Sequence, residues 1–210
     1  MSKIPYIYIL SQRYSGSTLL SFLLGTHPDI TTIGERRKFS TFSFPKPGQQ
    51  IQPCSCGKPF NECDHWTAIK ERVSKRVDVS AYSTNATEFH LFENKYVNRL
   101  AVNAAMPSLL AGAGGKPFRG SVNRLLEFNR VLVEEALALD GGKAFLDSSK
   151  GIEHTTFLSQ IPEFDFKIIW LTRDPRAQAN SAMKYNPWNA EQAANEWKKE
   201  MVANQSVLRR

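Results

Sequence analysis

Short apolar runs, broken by polar and glycine-containing stretches, recur along the 210 residues. The first, residues 4–10, is aromatic and β-branched and predicts a buried strand. The second, residues 19–24, follows Ser and Thr. It sets Leu and Phe around a cylinder, which predicts a buried helix. Gly25 and Pro28 close that helix. Residues 30–33 read as a second strand, ending at Gly34-Glu35. Strand, loop, helix and strand within about 35 residues make a βαβ unit and imply a parallel sheet.

Further on, helices are expected over 66–77, 94–110 and 121–139. Glycines 112, 114, 115 and 120 and Pro117 separate the last two. Residues 143–147 read as a third strand, with Ser148-Ser149-Lys150 after it, and 153–160 as a short helix. The near-continuous apolar run 166–171 predicts a fourth strand buried on both faces, with Trp170 in the core. Pro175 opens a helix that carries Ser181. Asn189 caps a last helix that runs close to residue 210. The expected architecture is a single three-layer α/β/α domain over 1–210 with a central parallel sheet. An irregular, cysteine-containing excursion at about 36–66 interrupts it.

Bulk composition changes this picture little. Hydrophobic content of 41% and charged content of 22% suit a globular chain. The formal charge of +7 suits an anionic partner without choosing among nucleic acid, polysaccharide and phosphorylated nucleotide. The run Arg36-Arg37-Lys38 reads as a solvated face. No apolar stretch reaches ~18 residues and no secretory leader is recognisable, so the expected location is cytoplasmic. Cys54, Cys56 and Cys63 share one short window, and their odd number argues against a disulfide framework. They read as reduced thiols in a compact knuckle over Trp66. A zinc set completed by His65 is the alternative; the spacing fits no standard finger, and no metal is assigned.

The chemistry concentrates where strands end. Ser11-Gln12-Arg13-Tyr14-Ser15-Gly16-Ser17-Thr18 lies between a strand end and a helix start, where backbone N–H groups and the helix dipole favour an anion. Compared with the phosphate loop G-x-x-x-x-G-K-[ST], Ser11 stands for the first Gly and Ser17 for the Lys. Without that lysine, triphosphate hydrolysis is disfavoured. Glu35, Lys150 and Arg173 follow other strands, and open parallel sheets bind ligands at those ends.

The segment Ser15-Gly16-Ser17-Thr18-Leu19-Leu20 resembles the 5′-phosphosulfate loop of the sulfotransferase family. Arg173-Asp174-Pro175-Arg176-Ala177 with Ser181 resembles its 3′-phosphate element. His27-Pro28-Asp29 through Gly34-Glu35, and Asp147-Ser148-Ser149-Lys150, are similar to segments of bacterial carbohydrate-type and protein-tyrosine members. The cysteine knuckle ending in Trp66 resembles a feature of some bacterial members. The resemblance implies a P-loop-kinase-like fold and the donor 3′-phosphoadenosine 5′-phosphosulfate, with adenosine 3′,5′-bisphosphate as product. Arg13, Tyr14, Ser15, Gly16, Ser17 and Thr18 would hold the 5′ end, and Arg173 and Ser181 the 3′-phosphate. Glu35 would act as base, and Arg13 and Lys150 would stabilise the transferred group.

The resemblance calls for no metal, and the expected partner is a small-molecule or carbohydrate hydroxyl, with a tyrosyl group or a small alcohol among the acceptors left open, rather than nucleic acid. Family members usually carry Arg or Lys where Tyr14 stands. Either the loop shifts to deliver Arg13, or Lys150 carries more of the charge. Members also continue further, so the expectation is a domain without the family's C-terminal segment. Two other classes stay open: a nucleotide or small-molecule kinase on the same fold, and a non-catalytic polyanion-binding module.

Overall fold

A computed structural model describes residues 2–39, 43, 51, 53–78 and 116–208. The strands are β1 (Ile4–Ser11), β2 (Ile30–Thr32), β3 (Ala144–Lys150) and β4 (Phe164–Leu171). The α-helices are α1 (Ser17–Gly25), α2 (Asp64–Ser74), α3 (Lys116–Asp140), α4 (Ile152–Leu158), α5 (Pro175–Tyr185) and α6 (Ala190–Leu208). Arg36–Lys38 and Phe60–Glu62 are single 3₁₀ turns. The strands form one all-parallel sheet in the order β2-β3-β1-β4. The fold is α/β, consistent with the three layers expected. The expected helix over 94–110, His90, glycines 112, 114 and 115, and most of 40–52 lie outside the described residues. Among the described residues no helix is long and apolar enough to cross a membrane.

The core lies around β1. Tyr6 stacks between strands on Phe164 at 4.7 Å and Phe166 at 5.3 Å, and leans on Phe145 at 5.4 Å. Phe128, Val131, Leu132 and Ala136 of α3 close over that face, and Ile69 and Val73 of α2 join them. Burying aliphatic and aromatic side chains of this size contributes about 1.5–3 kcal/mol each.

Four sequence expectations need correction. Helix α1 is not buried: Leu19, Phe22 and Leu23 are 61–64% exposed. Its inner face is Ser17 and Ser21, and Ser21 Oγ lies 3.4 Å from Thr32 Oγ1. At Gly25 an added Cβ would stand 2.8 Å from Thr32 Cγ2. Small residues at 17, 21 and 25 thus seat the helix backbone on the sheet, and the apolar side chains are left to point outward. Strand β4 pairs with β1 alone, as the edge of the described sheet, and Ile168 and Trp170 are over a third exposed. Helix α3 runs through Pro117 and Gly120, because Pro is tolerated in a first turn. Arg36, expected on a solvated face, is fully buried.

That burial is made possible by Asp147. Arg36 Nε donates to Asp147 Oδ2 at 3.0 Å, and both side chains are inaccessible to solvent. Tyr6 Oη donates to the same oxygen at 2.7 Å. The Arg36 fork also reaches Asn129 Oδ1, and its Nη2 lies 3.1 Å from His154 Nδ1. Burial, with the Asp147 carboxylate beside it, pushes the Tyr6 phenol well above its ordinary pKa, so it donates at all relevant pH. Arg36→Met leaves a buried carboxylate without its cation and should destabilise the fold by about 3–5 kcal/mol, read from urea unfolding. Adding Asp147→Leu to that variant should recover most of the loss, because no buried charge then remains.

Candidate functional site

Asp147 also builds the first half of the site. Its Oδ1 accepts from the Ser149 N–H at 2.9 Å and from the Ser149 hydroxyl. The β1–β3 register shifts across this stretch: Tyr8 faces Asp147, but Leu10 faces Lys150. One extra residue is therefore accommodated in β3, as in a bulge. Lys150 then adopts φ +70, and the Gly151 N–H bonds Ser149 O at 2.8 Å across it. A non-glycine residue in this tight three-residue turn is strained. The turn aims Lys150 at Glu35, and the two carry a charge-assisted hydrogen bond.

Glu35 is positioned from the other side. Its neighbour Arg36 is anchored in the core, and Arg37 N–H donates to Ser149 Oγ at 3.1 Å. Arg37 then bonds Glu35 Oε2 through Nη2 at 3.0 Å and Nε at 3.2 Å. Burial acts to raise the Glu35 carboxyl, but the hydrogen bonds and charges of Lys150 and Arg37 outweigh it and hold the group below its ordinary value of 4.5. Glu35 thus pairs with both Arg37 and Lys150.

The second half is the loop from Gln12 to Gly16. Tyr14 stands at φ 63, a left-handed conformation uncommon outside glycine. Its ring turns away from the loop, stacking on Tyr185 at 5.7 Å, and its hydroxyl accepts from Asn186 Nδ2 at 2.9 Å. The reversal leaves Arg13 exposed on the wall of the same cavity that Glu35 and Lys150 line. Arg13 is thus delivered to the cavity despite Tyr14. Gln178 Nε2 fixes this turn by donating to Arg13 O at 2.6 Å. Gly16 follows at φ +96 as the N-cap of α1 and supplies no side-chain cap. The first N–H groups of α1 are left for a ligand or solvent. Ser15 Oγ and Ser11 Oγ are buried and have no hydrogen-bond partner. Capless N–H groups beside orphaned hydroxyls fit an anion.

The cavity between the halves is about 660 Å³ and is lined by Arg13, Tyr14, Gly16, Ser17, Thr18, Glu35, Arg37 and Lys150. Helix α6 closes it with Glu196, Lys199 and Glu200, which the sequence analysis did not single out. Spacing of 196 and 200 by four residues on one helical face was the available signal. Burial raises the Glu200 carboxyl, with the charge and backbone of Arg13 pulling it back.

Arg173 and Ser181 do not line this cavity; they stand beside it. Arg173 Nη1 donates to Tyr14 O at 3.1 Å and to Ser181 Oγ at 3.4 Å. Strand β4 and helix α5 therefore bring both residues onto the loop. The short α5 is opened by Asp174, which accepts from the Arg176 N–H, with Pro175 at its first position. Of the described histidines, His154 supports Arg36, His27 Nδ1 accepts from the Asp29 N–H at 3.2 Å, and His65 pairs with Asp140 at 2.9 Å. Trp66 packs under the knuckle, 4.2 Å from Phe60.

Comparison of the chain with protein-family models, with curated proteins and with solved structures returned no match.

Gly16→Ala should cost about 1–2 kcal/mol in thermal or denaturant unfolding. Nothing lies within 4 Å of the added Cβ, so the cost is the left-handed backbone alone. A carbon-detected NMR titration should place the Glu35 midpoint below 4.5, and Lys150→Met should move it upward. A depressed folded-state value means that the pair's stabilisation is complete above pH 4.5 and fades as pH falls through the folded midpoint.

Proposed function

We propose that the chain is a sulfotransferase on a P-loop-kinase-like fold, moving a sulfuryl group from 3′-phosphoadenosine 5′-phosphosulfate to an acceptor hydroxyl of a carbohydrate, a tyrosyl group or a small alcohol. The observation that carries this reading is the junction of the two anion elements. Arg173, 159 residues beyond Tyr14, bonds the loop carbonyl and Ser181 together. A donor with phosphates at both ends of a nucleoside needs two adjoining anion sites, and a triphosphate needs only one. The loop's lack of the phosphate-loop lysine points the same way.

The residues divide the work as follows. Ser15, Gly16, Ser17 and Thr18 would hold the 5′-phosphate through the α1 N-terminus and their hydroxyls. Arg173 and Ser181 would hold the 3′-phosphate by a charge-assisted and a neutral hydrogen bond. The bound donor supplies an activated sulfuryl group on a phosphate leaving group. The acceptor oxygen attacks sulfur, the bond from sulfur to the bridging phosphate oxygen breaks, and the acceptor proton passes to Glu35.

In the ligand-free chain Lys150 and Arg37 hold Glu35 below its ordinary value, which weakens it as a base. An anion in the cavity would draw Lys150 off Glu35. The same exchange would strengthen the base and place a cation on the transferring group. Arg13 lines the same cavity and would serve the same purpose. Arg13, Arg37 and Lys150 would supply the positive charge that leaving-group stabilisation needs, so the scheme calls on no metal.

Calorimetry with adenosine 3′,5′-bisphosphate should show saturable binding. Arg173→Ala should weaken it by roughly ten- to a hundredfold, the loss of a charged hydrogen bond. Glu35→Gln should keep that binding while transfer from labelled donor falls by about 10²–10⁴. Folded protein that shows no binding ends the reading. Magnesium-dependent ATP binding would favour a kinase. Salt-sensitive polyanion binding indifferent to Arg173→Ala would favour a binding module.

A further inference from the structure

A second cluster of reactive side chains lies at the N-terminus of α2, among residues that the proposed transfer does not use. Residues 53–59 form a tight hairpin: Pro53 and Pro59 bridge in antiparallel fashion, and Cys54 N–H donates to Lys58 O at 2.8 Å. Gly57 makes the reversal at φ +87, its N–H bonded to Cys54 O at 2.9 Å. The turn Phe60–Glu62 then carries the chain back, so that Cys63 becomes the N-cap of α2. Three cysteines that are scattered through the window in sequence thereby present their sulfurs to one point. All three Sγ atoms lie within 4.8 Å of one another, and none is in a disulfide.

Tetrahedral zinc with bonds of about 2.3 Å to sulfur requires sulfurs about 3.8 Å apart, within the reach of small side-chain rotations from this arrangement. Cys63 is buried at the N-terminus of α2 and makes no side-chain cap. Cys54 is half-buried and Cys56 exposed, so the point between them opens to solvent. His65 is directed elsewhere: its Nε2 lies 2.9 Å from Asp140 Oδ1 at the end of α3. Lys58 is occupied by Asp64 at 2.9 Å.

We propose that Cys54, Cys56 and Cys63 form a three-thiolate zinc site, with its fourth position turned to solvent and His65 outside the ligand set. Binding releases the thiol protons and replaces them with three metal–sulfur bonds. The site's structural role follows from what stands behind it. Phe60 stacks on Trp66 at 4.2 Å, and Trp66 leans on Phe39 of the core at 6.0 Å. A metal closing the knuckle would clamp this aromatic relay and fix the start of α2. This inference is independent of the sulfotransferase reading.

The test uses the full chain, purified reduced and without added chelator. Metal analysis should return about one zinc per chain, and chelator treatment followed by zinc titration should restore it. Cobalt substitution of the wild-type chain should give the intense near-ultraviolet charge-transfer bands of thiolate ligation, a readout that does not depend on any variant folding. Cys54→Ser, Cys56→Ser and Cys63→Ser should each lose stoichiometric metal, whereas His65→Ala should change zinc affinity by less than about tenfold. Three freely titrating thiols with no zinc and no cobalt band would overturn the proposal. So would a disulfide within the cluster, found by mass spectrometry of the freshly purified chain. Loss of metal in His65→Ala as complete as in Cys63→Ser would overturn the three-thiolate assignment.

Discussion

The site depends on the buried ion pair between Arg36 and Asp147. A charge pair sealed from water is rarely a net source of stability, because desolvation offsets most of the attraction. Here it acts as a fixed point. Asp147 uses one carboxylate oxygen to hold Arg36 and Tyr6, and the other to shape the turn that presents Lys150. Arg36 in turn ties the segment after β2 to the core, and Glu35 and Arg37 flank it. The two sides of the cavity are thus referred to one hydrogen-bonded cluster. Asn129 and His154 complete it from α3 and α4, so side chains of two helices brace the cluster from behind.

The cations around the cavity are held in reserve. Lys150 and Arg37 are on Glu35, Lys199 is on Glu196 at 3.0 Å, and Arg13 acts on Glu200. An incoming anion therefore does not meet bare positive charge; it must exchange partners with carboxylates already in place. Such exchange gives up part of the available attraction, but it discriminates against anions that cannot satisfy several donors at once. The loop differs, since its orphaned Ser15 and Ser11 hydroxyls have nothing to surrender.

Much of this was legible from the chain alone. The alternation of apolar runs with Gly and Pro breaks located all four strands and their parallel sense. Glu35, Lys150 and the loop stood out because each follows a strand. What failed has a common cause: patterns report that a residue is apolar or charged, not what covers it. Leu19, Phe22 and Leu23 read as core because an apolar cylinder usually is. The decisive feature was the small-residue stripe beneath them, which lets the helix lie on the sheet by backbone approach. Trp170 read as core because an edge strand and a central one share the same composition. Arg36 read as surface because its partner lies 111 residues away, and no local rule couples the two. Pro117 and Gly120 read as breaks where the helix had already begun.

The strained turn at Lys150 also limits how the site can move. Its backbone is clamped on three sides, by the Ser149–Gly151 bond, by Asp147 beneath Ser149, and by Tyr8 Oη donating to Gly151 O at 2.6 Å. A lysine so held can leave Glu35 only by turning about its own side-chain bonds. That motion belongs to the picosecond-to-nanosecond range, far faster than loop rearrangement. Release of the ammonium from the carboxylate therefore calls for side-chain rotation and no backbone step.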